Sequence, residues 1–234
     1  MRAVLISGGG SGIGLTCARR FVHAGEAVIL LGRTPERLEQ ARQELATAHP
    51  GRVDTRRCDV SRAEDVEHLA AWLAGAGRRV DVLVNNAGLF LAGGVLKAGE
   101  EQARLLWETQ VMGPWRLLKA CADPALRGAQ GLTVVNVLSV TALKAYAGCA
   151  FYGATKAALK SLMETARAEL RGQGVRICNL YPGATETPIW GGRDVDHGRM
   201  MDPDDVAAAV LACAAPTPRS LVEDLVLRPA LGDL

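Results

Sequence analysis

Ser139, Tyr152 and Lys156 place a hydroxyl, a phenol and an ammonium close together in a chain of 234 residues. Tyr152 and Lys156 stand four apart, so on a helix they share one face. Such a trio can move a proton to or from a carbonyl oxygen. The phenol carries the proton, the hydroxyl bonds to the same oxygen and steadies developing charge, and the ammonium favours the phenolate. An unperturbed phenol, with a pKa of about 10, is suited to act as an acid. To act as a base near neutrality it must come down to about 7, a change worth roughly 4 kcal/mol that a neighbouring ammonium has the right sign to supply.

A second group lies at the start of the chain, where Ser7-Gly8-Gly9-Gly10-Ser11-Gly12-Ile13-Gly14 follows an apolar run and opens a helical pattern. Glycines at 8, 12 and 14 permit a tight turn, close approach of backbone to a pyrophosphate, and close packing of helix on strand. The helix start adds free amides and a positive dipole end. A dinucleotide held there would carry the hydride that complements the proton chemistry downstream. Alone, the glycine run also fits a flexible turn and Tyr-x-x-x-Lys an ordinary helix surface. Their joint occurrence in this order is the specific signal.

Elements that bring the two groups together are legible in the hydrophobic pattern. Strands are predicted at 2–7, 27–31, 53–57, 80–84, 132–138, 175–180 and 224–227. Most read as continuous apolar runs, which is how strands buried on both faces of a parallel sheet look. Helices are predicted at 12–25, 35–48, 62–75, 99–111, 114–126, 150–171 and 203–214. Thr34-Pro35 and Asp202-Pro203 offer a capping side chain followed by proline at the first helical position. The alternation implies a doubly wound α/β Rossmann fold, a parallel sheet of about seven strands flanked by helices. No repeat or linker divides it, so residues 1–234 read as a single domain carrying both cofactor and substrate sites. Ser139 then falls at the carboxyl edge of the sheet, where open α/β folds bind ligands.

Composition excludes other classes. With 49% hydrophobic and 22% charged residues the chain is an ordinary globular protein, and 27 basic against 25 acidic residues leave no electrostatic footprint for nucleic acid. Cys17, Cys58, Cys121, Cys149, Cys178 and Cys213 form no CxxC pair, and His23, His49, His68 and His197 show no metal-ligand spacing. No metal is expected, and the cysteines read as reduced thiols of a cytoplasmic protein. No apolar run approaches the ~20 residues of a membrane helix, and Ala3-Val4-Leu5-Ile6 enters a strand at once, so neither a membrane span nor a signal peptide is expected.

The glycine run, Asp59-Val60 after the third strand, Asn85-Asn86-Ala87-Gly88 after the fourth, Ser139, Tyr152 with Lys156, and Pro182-Gly183 with Thr187 recur in order. In these residues the chain resembles the short-chain dehydrogenase/reductase family over almost its whole length, with Ser7 where a Thr usually opens the motif. The resemblance implies a cofactor site made of Ser7, Gly8, Ser11, Gly12, Ile13 and Gly14, with Asp59 bonding the adenine and Val60 packing on it. Asn86, Ala87 and Gly88 would hold the strand end beneath the cofactor, Tyr152 and Lys156 would reach the nicotinamide ribose, and Pro182, Gly183, Thr185 and Thr187 would flank the carboxamide. It also implies catalytic roles for Ser139, Tyr152 and Lys156, the last lowering the pKa of Tyr152. One residue departs from the pattern. Gln110 stands where an Asn usually supports a water in a proton relay, and its extra methylene could shift that water.

The choice of dinucleotide turns on the second strand, which ends Leu31-Gly32-Arg33. NAD sites commonly place a carboxylate there for the ribose hydroxyls. Gly32 cannot supply one, while Arg33 can pair a 2′-phosphate, so NADP(H) is expected over NAD(H); otherwise Arg33 is a solvated loop residue. The segment from Pro188 to Met201, with Trp190, Met200 and Met201, is expected to cover a small carbonyl or alcohol substrate. Leu89, Phe90, Leu143 and Tyr146 either line the same mouth or merely pack. The helices at 114–126 and 150–171, with Ala157, Ala158 and Ser161, are those through which the resemblance implies homodimers or homotetramers. The reading is an NADP(H)-dependent carbonyl/alcohol oxidoreductase, with a non-catalytic NADP(H) sensor on the same fold as the alternative.

Overall fold

A computed structural model of the chain describes residues 1–193, 195–215, 217 and 219–233. Asp194, Pro216, Pro218 and Leu234 lie outside the described residues, the first of them within the expected cover segment. Seven strands, β1 (Ala3–Ser7), β2 (Ala27–Gly32), β3 (Val53–Arg57), β4 (Val82–Asn85), β5 (Leu132–Val137), β6 (Val175–Pro182) and β7 (Asp224–Leu227), form one sheet in the order β3-β2-β1-β4-β5-β6-β7. Every neighbouring pair is parallel. The order reverses between β1 and β4, and that switch point opens a crevice at the carboxyl ends of the strands.

Side chains alternate between two cores, as the pleat requires. Val4 and Ile6 of β1 face a layer containing Cys17 and Phe21 of α1 (Gly12–His23), Leu38 of α2 (Pro35–Ala48) and Val206 and Val210 of α7 (Pro203–Ala214). Leu5 faces the opposite layer, with Leu69 of α3 (Ala63–Gly75), Leu117 of α5 (Gly113–Cys121) and Leu159 and Met163 of α6 (Ala150–Glu169). Burial on both faces explains why the strands lack a polar alternation. Each fully buried large side chain contributes roughly 1.5–3 kcal/mol. Asp202 caps α7 by accepting from the Asp204 amide at 2.7 Å, whereas Thr34 makes no side-chain cap on α2.

Most predicted elements shift at one boundary or both by one to five residues, and three of the changes bear on the site. Val80 forms only an isolated bridge to Arg127, and β4 starts two residues later than expected, at Val82, and ends one later, at Asn85. Strand β6 continues to Pro182, carrying the chain to the crevice. The helices expected at 99–111 and 114–126 are one continuous run. In it, α4 (Glu100–Trp107) passes through a π-helical turn, Glu108–Met112, straight into α5. Gly113 and Pro114 do not break the run. Pro114 stands directly after the π-helical turn, where the regular i→i−4 ladder is already interrupted, and a Cβ on Gly113 would come within 2.8 Å of Val60 Cγ2.

A polar rung crosses the apolar sheet. Asn85, Asn136 and Asn179 are register partners on β4, β5 and β6, and all three are buried. Asn85 Nδ2 donates to Asn136 Oδ1 at 2.9 Å, and Asn136 Nδ2 to Asn179 Oδ1 at 3.0 Å. A slip of one residue would set these amides against apolar neighbours, so the rung pins the register that aligns the strand ends.

Candidate active site

The crevice holds a cleft of about 960 Å³, at the upper end of the ~300–1,000 Å³ usual for ligand pockets. Its floor is the end of β1. Ser7 Oγ accepts from the amides of Asn86 and Ala87, each at 3.0 Å, and donates to the Val84 carbonyl at 3.3 Å. Asn86 Nδ2 returns to the carbonyls of Ser7 at 2.9 Å and Gly8 at 3.3 Å. These bonds join the ends of β1 and β4 beneath the crevice. Gly8 has φ +67°, and a Cβ on Gly14 would lie 2.2 Å from the Gly8 carbonyl oxygen. Glycine at these two positions is therefore what lets α1 sit on the turn. No side chain caps the start of α1, and Ser11, Gly12 and Ile13 line the cleft. Free first-turn amides and the positive helix end suit an anionic pyrophosphate.

Gly8, Ser11, Gly12, Ile13, Arg33, Asp59, Val60, Asn86, Ala87, Gly88, Pro182, Gly183, Thr185 and Thr187 all line this one cleft with Gln110, Ser139, Tyr152 and Lys156. Ser7 and Gly14 are not in its wall. They lie behind it, one as the hydrogen-bonded junction of two strands and the other as the contact of helix on turn. Asp59 Oδ1 accepts from the amide and hydroxyl of Ser61, at 3.0 and 2.7 Å. Arg37, one turn beyond Arg33 at the start of α2, also lines this end. The spacing of four between the two arginines was a signal available in the sequence.

At the centre, Ser139 lies two residues past the end of β5 and caps a short 3-10 turn, its Oγ accepting from the Thr141 amide at 3.1 Å. The Ser139 hydroxyl lowers the pKa of the Tyr152 phenol beside it. The Tyr152 ring stands edge-on to Phe90, centroids 4.9 Å apart. Lys156 Nζ is buried, 5.7 Å from the Tyr152 ring centroid, and donates to the Val137 carbonyl at 3.0 Å. Burial pushes the Tyr152 phenol up to about 12, opposed by the Ser139 hydroxyl and aided by Cys149. Burial also brings Lys156 down to about 8. In the protein alone burial outweighs everything else, and the partner that lowers the phenol pKa is Ser139. The arrangement is a neutral acid held beside a hydroxyl, able to hand a proton to an oxygen that both can reach.

Gln110 lies in the π-helical turn and is 1% exposed. Its Nε2 donates to Thr155 Oγ1 at 3.1 Å, and that hydroxyl donates to the Tyr152 carbonyl at 2.9 Å. Gln110 Oε1 is buried without a protein partner. The added methylene is thus taken up by a bond to α6, next to Lys156.

Toward the mouth, Leu89, Phe90, Tyr146 and Trp190 line the cleft. Trp190 Nε1 donates to the Thr185 carbonyl at 2.8 Å, which fixes its indole in the wall. Leu143 and Met200 are not among the lining residues, and Met201 is drawn into the α1–α7 core. A parallel bridge between Thr185 and Met201 folds the cover segment back and turns Met201 inward. Cys149 and Asp233, which sequence reasoning did not single out, complete the wall.

The short chain dehydrogenase family matches residues 2–197. Over 239 aligned residues the chain is 33% identical to the sepiapterin reductase of Chlorobaculum tepidum, covering 99% of this chain and 97% of that one. Among solved structures it is similar to an alcohol dehydrogenase from the archaeon Thermococcus sibiricus complexed with 5-hydroxy-NADP, at TM-score 0.90 and 30% identity over 98% of this chain and 97% of that one. It is similar as well to the L-sorbose reductase of Gluconobacter frateurii complexed with NADPH and L-sorbose, at TM-score 0.86 and 25% identity over 97% and 95% of the two chains.

Proposed function

The chain belongs to the short-chain dehydrogenase family, and from that premise we propose that it is an NADP(H)-dependent reductase of small carbonyl compounds, using Tyr152 as proton donor. The family is one of oxidoreductases acting on CH–OH and C=O. The observation that carries the finer reading is the Tyr152 phenol, kept protonated by burial and grouped with Ser139 on the wall of a cleft whose far end holds Arg33 and Arg37. A nicotinamide bound in this cleft supplies or accepts the hydride. Tyr152 gives its proton to the carbonyl oxygen while Ser139 donates to the same atom, and the Lys156 charge favours the phenolate left behind. Arg33 and Arg37 together favour a 2′-phosphate, and Asp59 keeps Oδ2 for the adenine amino group. Thr185 and Thr187 would border the carboxamide.

The test is NADPH and NADH consumption over a panel of ketones and aldehydes. Turnover with NADPH at a kcat/KM at least about tenfold above that with NADH is the expected result. Tight NADPH binding with no carbonyl turned over would favour the sensor reading instead.

Trp107, Trp115 and Phe151 on α4, α5 and α6 are partly exposed, and Trp107 and Phe151 border a shallow apolar groove. We place homodimer or homotetramer formation on this face. Light scattering at micromolar concentration should give two or four times the 24.7 kDa chain mass; a monomer mass would refute it. All six cysteines are free thiols, which supports a reducing, cytoplasmic location. Among the described residues no helix is long and apolar enough to cross a membrane.

A further inference from the structure

Cations outnumber carboxylates at the glycine-rich end of the cleft, where Arg33 and Arg37 stand with Asp59. Beyond Tyr152 the only charged side chain in the wall, among the described residues, is Asp233. The segment after β7 turns back at Gly232, whose φ of +87° favours glycine, and whose amide bonds the Pro229 carbonyl at 3.0 Å. That turn sets Asp233 against Tyr146, whose phenol donates to Oδ2. Arg228 Nη1 donates to the two carboxylate oxygens at 2.8 and 2.6 Å. Across the mouth, Arg199 Nη2 donates to the carbonyls of Asp233 at 3.1 Å and Leu231 at 3.4 Å, tying the cover segment to this strap. Neither Arg228 nor Arg199 lines the cleft. The carboxylate therefore belongs to the wall, with its guanidinium partner outside it.

Phe90 and Trp190, ring centroids 5.6 Å apart, line the same cleft, with the Arg193 guanidinium 4.7 Å from the Phe90 ring but outside the lining. Apart from Lys156 beside Tyr152, whose ammonium is bonded to the Val137 carbonyl, an anionic substrate would meet no cation in the described wall of this chamber and one carboxylate to repel it. A flat neutral compound would gain aromatic contact and keep an acceptor within reach, since a carboxylate has about four acceptor positions and three are taken. We propose that Asp233 sets the substrate class, admitting flat, uncharged carbonyl compounds, especially those with a hydrogen-bond donor at the end remote from the carbonyl, and rejecting carboxylated ones. The proposal rests on the reductase reading above and narrows its substrate.

The experiment compares kcat/KM with NADPH for benzaldehyde and 4-carboxybenzaldehyde in the wild type, Asp233→Asn and Asp233→Glu. The neutral compound is favoured by about tenfold in the wild type, the size expected for one partly neutralised charge across the cleft. Asp233→Asn, which keeps an acceptor for Tyr146, should lower that ratio about fivefold, and Asp233→Glu should retain it. An equal ratio in the wild type and Asp233→Asn, or a wild-type preference for the carboxylated aldehyde, overturns the proposal. Should neither aldehyde turn over, the reductase reading fails by itself. Dissociation constants of benzyl alcohol and 4-carboxybenzyl alcohol from the NADP-loaded protein then read the same ratio, with the same outcomes deciding.

Discussion

Tyr152→Phe is expected to lower NADPH-dependent carbonyl reduction by about 10³-fold while leaving the fold and cofactor binding in place. Positioned acid catalysis is worth ~10²–10⁴, and this substitution removes the proton without removing the ring. The edge-on contact with Phe90 survives, Ser139 keeps its bond from Thr141, and no other hydrogen bond of α6 depends on the phenol oxygen. Retention of more than a tenth of the activity would remove Tyr152 as the donor. The pH profile carries the same chemistry. Tyr152, at about 12, stays protonated throughout the working range, so the acid is not lost there. Lys156, at about 8, loses its charge as pH rises through that value, and with it the support for a developing phenolate. Reduction should therefore be sustained below about pH 8 and decline above it. Stability moves the other way for this group. A buried lysine with a lowered pKa binds its proton more weakly than in the unfolded chain, so its contribution to stability rises between about 8 and 10.5. A fall in rate above pH 8 without a fall in melting temperature is the signature.

The double variant Arg33→Ala/Arg37→Ala should raise the KM for NADPH by about 10²-fold and change that for NADH by no more than a few-fold. Each charge-assisted contact to a phosphate is worth ~1.5–3 kcal/mol when fully formed, and the solvent exposure of both side chains brings the pair to the lower part of that range. Neither guanidinium supports the fold through an ion pair among the described residues, so the melting temperature is a clean control. An unchanged ratio of NADPH to NADH efficiency would move the 2′-phosphate elsewhere or dispense with it.

Much of this protein was legible along the chain because the determining forces there are local. The glycine spacing, the i,i+4 pair Tyr152–Lys156 and the continuous apolar strands follow from turn geometry, helix periodicity and two-sided burial, each readable within about ten residues. The seven strands and the placement of Ser139 at a carboxyl edge followed from them. Tertiary structure decided what depends on residues distant in sequence. The bond from Gln110 to Thr155 of α6 was decided by the π-helical turn that carries the helix past Val60 without a break. Met201 left the mouth because bridging to Thr185 turned it into the α1–α7 core. Arg37 and Asp233 joined opposite ends of one cleft, the latter through a strap closing on a loop 87 residues away. Burial, which no stretch of sequence records, raised the Tyr152 phenol and lowered Lys156. Helical and strand periodicity record a residue's immediate neighbours, but desolvation and through-space contact depend on how the elements finally pack.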